Sequence, residues 1–166
     1  TNLIHAIRAT NTAPLTLYRM TSDKEFCGPI FPAIRAEPFR YPAFLSTSGR
    51  NDNLGNFVPS SGNPLLLEIR CPTGTTMALL EADGGLEDEY LLGAGTQFRV
   101  VEYGQIIEAS EIAALTRRDP EGVQMFRLIL EVCGNPPFTN ADQVFDFDPN
   151  SKAEDDAATN AQTIRY

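Results

Sequence analysis

The sequence predicts an α+β domain in which strands outweigh a few short helices. Short runs of aliphatic, aromatic and β-branched residues recur along the chain, several with the period-two alternation of a half-buried strand. Clusters of Gly, Pro, Asn and Ser separate these runs, as turns require. Helical spacing is confined to two short stretches, near residues 1–11 and 110–118. A chain of 166 residues is long enough for one domain with its own core.

Taken in order, Leu3, Ile4 and Ile7 have helical spacing and predict a short helix within 1–11, ended before Pro14. Leu15 to Met20 alternates as a strand with Leu15, Leu17 and Arg19 on one face; Arg19 either snorkels to water at the strand end or marks an anion site. Pro29, Pro32, Pro38 and Pro42 make 21–42 a loop, under which Phe31, Phe39 and Tyr41 tuck as core or wall. Tyr41 to Leu45 turns apolar and runs into Ser46-Thr47-Ser48-Gly49, which is also ordinary turn chemistry. The polar loop 50–64 carries Phe57, either a staple onto the core or a stacking surface.

Pro64 to Cys71 reads as a strand, followed by a Pro72-Thr73-Gly74 turn and Met77 to Leu80 as another apolar piece, and Glu81-Ala82-Asp83-Gly84-Gly85 as an acidic, glycine-hinged loop able to move. Tyr90 to Leu92 and Gln97 to Val101 are strands about a turn at Gly93 and Gly95, with Gly104 to Ala109 and Gly122 to Cys133 as two more. Ser110 caps two helical turns between those last two, before Pro120. From Gly134 the chain becomes acidic and poor in apolar residues. Residues 1–133 are therefore expected to form the domain, and 134–166 a peripheral segment that wraps it or disorders.

The formal charge of −9 opposes binding to nucleic acid or an anionic membrane surface, because phosphate would be repelled. No apolar run approaches the ~20 residues of a membrane-spanning helix, and no export signal is evident. The chain begins at Thr1 rather than Met, which fits a processed chain or a domain of a longer protein with its delivery signal elsewhere. Cys27, Cys71 and Cys133 are odd in number and far apart, and His5 is the single histidine. A disulfide framework, a metal site, and Ser-His or Cys-His catalysis are therefore not expected, and buried thiols are.

Glu87 and Glu89 lie two residues apart on a strand, so both would project from one face, about 7 Å apart. Two readings fit that spacing. One is a solvated acidic edge that protects the strand from aggregation. The other is a pair of carboxylates whose repulsion is tolerated because they stabilise a cation or an electron-poor centre.

Four separated pieces together resemble one family. Leu17-Tyr18-Arg19, Phe44-Leu45-Ser46-Thr47-Ser48, and Glu87-Asp88-Glu89-Tyr90-Leu91-Leu92 followed by Gly95-Thr96-Gln97-Phe98-Arg99-Val100 look like the Arg, Ser-Thr-Ser, Glu-x-Glu order of bacterial mono-ADP-ribosyltransferase toxins. Phe57, eleven residues after Ser46, sits where that branch often carries a phenylalanine. The resemblance spans about residues 15–131. It implies two packed, mainly antiparallel sheets with NAD in the cleft between them.

By that resemblance Glu89 is the catalytic carboxylate, Arg19 binds NAD phosphate, and Ser46 positions Glu89, with Thr47 and Ser48 shaping the strand end. Phe57 stacks on or walls the nicotinamide. Glu87, two residues before the catalytic Glu, goes with arginine as the acceptor. The loop of Glu81, Asp83, Gly84, Gly85 and Leu86 is then the target-recognition loop. It departs from the family, since relatives carry an aromatic there and this chain has Gly84 and Gly85. The lead is also short, with only 18 residues before Arg19 where relatives have helices that close over NAD. The implied partners are a target protein bearing the acceptor arginine and an immunity protein, with no metal required. The implied setting is a toxin or effector secreted or injected into a target cell and acting in its cytoplasm. An NAD glycohydrolase, or a non-catalytic β-rich interaction module, are the alternatives.

Overall fold

The computed structural model describes residues 6–26, 37–52, 54–82, 85–137 and 145–150. Its elements run β1 (Ala6–Asn11), β2 (Leu15–Ser22), the single turn α1 (Asp23–Phe26), β3 (Phe39–Arg40), β4 (Leu45–Ser48), a 3-10 turn (Leu54–Phe57) and β5 (Pro64–Cys71). There follow β6 (Thr76–Ala82), β7 (Gly85–Leu92), β8 (Gln97–Ile106), α2 (Ala109–Thr116), β9 (Met125–Gly134) and β10 (Phe145–Phe147). Among the described residues, no helix is long and apolar enough to cross a membrane.

The strands join in one open hydrogen-bonded ladder, in the order β10-β1-β6-β7-β4-β2-β5-β9-β8-β3. Pairing is antiparallel except between β1 and β10 and between β5 and β9. The two expected sheets are the halves β10-β1-β6-β7-β4 and β2-β5-β9-β8-β3, and a single residue pair, Tyr18 with Ser48, links them.

Alternation decides what each face buries. Leu17, Leu67, Ile69, Leu128 and Leu130 of the second half meet Ala9, Met77, Leu79, Tyr90 and Leu92 of the first in one buried cluster. The two halves thus share a core, and burial of each leucine, isoleucine or methionine side chain in it contributes about 1.5–3 kcal/mol relative to exposure. The opposite face of the second half carries Met20, Leu66, Ile106 and Met125. Ile112 and Leu115 of α2 and Leu54 of the 3-10 turn cover it.

Several local expectations are corrected. The predicted helix within 1–11 is instead β1 where it is described, because Ala6–Thr10 pairs with Thr76–Leu80 of β6 and this ladder outweighs a weak helical spacing. The two strands expected on either side of Tyr103 are one strand, β8, running through Gly104 against β9. Ser110 does not cap α2, whose N-cap position is Glu108 without a side-chain cap, so Ser110 lies inside the helix. The glycine-hinged loop is largely a hairpin, with Glu81 paired to Leu86 and Ala82 to Gly85, while Asp83 and Gly84 lie outside the described residues. His5 and Cys27 also lie outside them. Cys71 is buried, and burial pushes its thiol up to about 12.

Two features anchor β10 and the end of β1. Phe147 of β10 is buried, and its ring stacks on Tyr90 with centroids 6.2 Å apart. Asn11 is 1% exposed, and its Nδ2 donates to the carbonyls of Ala13 (2.8 Å), Cys71 (3.2 Å) and Pro72 (3.0 Å). Its Oδ1 accepts from the Thr75 amide at 2.7 Å. Asn11→Ala strands these buried groups and is expected to cost about 3 kcal/mol. The midpoint of thermal unfolding, followed by circular dichroism, should fall by roughly 6–12 °C.

Candidate active site

The point where the two halves meet gathers three of the residues singled out by the sequence. In β4 the alternation buries Leu45 and Thr47 and leaves Ser46 and Ser48 half-exposed on the other face. The Ser46 hydroxyl donates to Glu89 Oε1 at 2.8 Å. Arg19 of β2 donates from Nη1 to the Ser46 carbonyl at 3.1 Å. Ser46 thus touches the cation with its backbone and the carboxylate with its side chain.

The strand beneath is held by Thr47, whose buried hydroxyl donates to the Tyr90 carbonyl at 2.7 Å. Ser48 accepts from the Arg50 amide at 3.1 Å, closing the turn that ends β4. On this side the ladder is regular, Ser48 opposite Glu89 and Ser46 opposite Leu91. On the other side it is not. Leu79 pairs with Tyr90 but Glu81 pairs with Leu86, so Glu87-Asp88-Glu89 bulges opposite Leu80. A bulge re-aims side chains and recurs beside active sites. The side chains of Glu81, Leu86 and Glu87 lie outside the described residues.

Arg19 makes no ion pair among the described residues, and its Nε is buried with no hydrogen-bond partner there. A buried guanidinium donor without an acceptor is costly, and an anion is the acceptor that suits its fork geometry best. Tyr41 lies near enough to feel the charge of Arg19, and its phenol donates to Glu25 Oε1 at 2.7 Å. Burial first, then the hydrogen bond to Glu25 and its charge, push the Tyr41 phenol up to about 12, while Arg19 pulls it the other way. No local sequence signal marks Glu25, and for Tyr41 the sequence predicts only a place in the core or wall. A lone acid after a strand and a tyrosine in a proline-rich loop carry no spacing that joins them.

Phe57 closes the 3-10 turn and is 62% exposed, outside this hydrogen-bonded group. The turn Gly93–Thr96 after β7 is tight, with the Thr96 amide and hydroxyl both donating to the Gly93 carbonyl at 3.1 and 2.6 Å. Gly95 takes φ +90°, which a side chain would oppose. β7 and β8 do not pair with each other, so this turn carries the chain from the first half of the ladder to the second.

No protein-family model matches this sequence, and no curated protein does. Solved structures do match. Plx2a, an ADP-ribosyltransferase toxin from Paenibacillus larvae, is 20% identical with a TM-score of 0.51, over 75% of this chain and 64% of its own. C2-I, the enzymatic component of the C2-toxin from Clostridium botulinum, is 16% identical with a TM-score of 0.54, over 74% of this chain and 32% of its own. The fold is that of the bacterial ADP-ribosyltransferase toxins. The chain spans less than two thirds of Plx2a and about a third of C2-I. Within the ADP-ribosyltransferase fold, Arg19, Ser46 and Glu89 stand at the junction of the two halves, and the bulge at Glu87–Glu89 lies beside them.

Proposed function

We propose that this chain is a mono-ADP-ribosyltransferase domain that cleaves NAD and transfers ADP-ribose to an arginine of a target protein. The observation that carries this reading is the hydrogen-bonded sequence Arg19 Nη1 to Ser46 carbonyl and Ser46 Oγ to Glu89. It puts a cation with an unused buried donor and an oriented carboxylate on either side of one serine.

Arg19 binds the NAD pyrophosphate, which also lets a protein of charge −9 accept an anionic dinucleotide. The bond from ribose C1′ to the nicotinamide nitrogen breaks with its electron pair leaving on neutral nicotinamide, and an oxocarbenium-like cation develops on the ribose. Glu89, held by Ser46, stabilises that cation more than the ground state. A guanidinium nitrogen of the acceptor arginine then attacks C1′ and forms the new C–N bond, and Glu87 takes the proton it loses. Phe57, with an open face, walls or stacks on nicotinamide. The hairpin from Glu81 to Leu86 meets the target protein.

The setting that suits this chemistry is a toxin or effector delivered into another cell, with an immunity protein guarding its producer. Arg19→Ala tests the phosphate role. Titration calorimetry with NAD should show affinity weakened at least ~30-fold, in line with the loss of a charge-assisted pair. Unchanged affinity would remove Arg19 from the site.

A further inference from the structure

Glu25 lies six residues beyond Arg19, in the turn α1 that follows β2. Both of its carboxylate oxygens are engaged by neutral hydroxyls. Thr21 donates to Oε2, and Tyr41 donates to Oε1 at 2.7 Å. Thr21 and Arg19 are two residues apart on β2, so they project from the same face about 7 Å apart. Tyr41 is fixed through its backbone, its amide donating to the Thr96 carbonyl at 3.0 Å and its carbonyl accepting from the Gly95 amide at 2.8 Å. The ring therefore hangs from the turn that follows the Glu89 strand, and it feels the charges of Arg19 and Glu25 in opposite senses.

A free carboxylate beside an arginine is normally drawn into a bidentate, charge-assisted pair, which is about twice as strong as a bond to a neutral donor. Here that pair is not made. An arginine that must receive a phosphate has to be kept from neutralisation by its own neighbours, and two well-placed hydroxyls can do this by occupying the acid. We propose that Tyr41 and Thr21 clasp Glu25 away from Arg19, so that Tyr41 is a positioning residue keeping the guanidinium open to the nucleotide phosphate. This rests on the reading of Arg19 as the phosphate anchor. When the Tyr41 hydroxyl is removed, Glu25 Oε1 loses its donor and turns to Arg19, closing the anion site with an internal ion pair. Neutralising Glu25 removes that competitor, so the second substitution should repair the first.

The wild-type protein, Tyr41→Phe, Glu25→Gln and the double variant separate this from a merely structural role through two readouts. NAD affinity by calorimetry should weaken about 10-fold in Tyr41→Phe, stay within twofold in Glu25→Gln, and return to within twofold in the double variant. The rate of Arg19 modification by phenylglyoxal, mapped by peptide mass spectrometry without NAD, should fall several-fold in Tyr41→Phe and recover in the double variant. Wild-type protein that binds no NAD but shows the same phenylglyoxal pattern would overturn the NAD reading and support the clasp. Equal Arg19 reactivity in wild type, Tyr41→Phe and the double variant would overturn the clasp, whether or not NAD binds. A double variant as weak for NAD as Tyr41→Phe would overturn it too, because a merely loosened loop cannot be repaired by a second change.

Discussion

Glu89→Gln is expected to lower both NAD cleavage and ADP-ribose transfer by at least ~1000-fold, the scale on which loss of a preorganised electrostatic group acts. Glutamine keeps the shape of the side chain, and its amide oxygen can still accept from the Ser46 hydroxyl, now 2.8 Å from Glu89. What disappears is the negative charge. In the proposed reaction that charge would do little for bound NAD but would lower the energy of the ribosyl cation, so the loss should fall on kcat rather than on NAD affinity. Nicotinamide release by chromatography and NAD affinity by calorimetry read the two separately. Unfolding should be unaffected, because Glu89 is half-exposed and its neighbours keep their partners. A Glu89→Gln protein that releases nicotinamide at the wild-type rate would remove Glu89 from the chemistry.

Glu87→Gln is expected to divide the two activities. If Glu87 accepts the proton from the attacking arginine, its loss should reduce transfer by about 100-fold, within the usual range for a positioned general base. Cleavage with water as acceptor still has Glu89, and hydrolysis should remain within several-fold of wild type. A β-bulge covers this segment, since β6 and β7 shift register between Leu79 and Glu81. Paired assays of free ADP-ribose and of labelled protein measure both outputs in one reaction. Equal losses in both would show that the two glutamates serve the same step.

Much of the fold was legible in the sequence because strand alternation and turn residues are local signals. β2 and β5 lie where apolar alternation and punctuation place them, and Ser46-Thr47-Ser48 does end a strand. The failures occur where a non-local partner decides. Residues 6–11 form β1 because β6 is there to pair with them, and Gly104 stays within β8 because β9 runs alongside it. Within the segment 134–166, expected to wrap the domain or disorder, Phe147 packs in the core against Tyr90 and β10 pairs parallel to β1, a docking that depends on partners far away in sequence.

The candidate site divides the same way. Arg19, Ser46 and Glu89 were legible as a set only through their order along the chain, because they lie on three strands brought together by the sheet. The bulge that sets off Glu87–Glu89 depends on the register of β6 and could not be read from either strand alone. The link from Arg19 through Tyr41 to Glu25 joins a strand, a proline-rich loop and a single helical turn, and only the folded chain shows it.

The most direct test of the central claim is to incubate the protein with NAD labelled on its adenylate half, together with bacterial and eukaryotic lysates in parallel, and to locate any covalent label by peptide mass spectrometry. The expected result is label on an arginine side chain of a protein in one of the lysates, with nicotinamide released, and neither product with Glu89→Gln. Wild-type protein that releases no nicotinamide and labels nothing, with or without lysate, would contradict it.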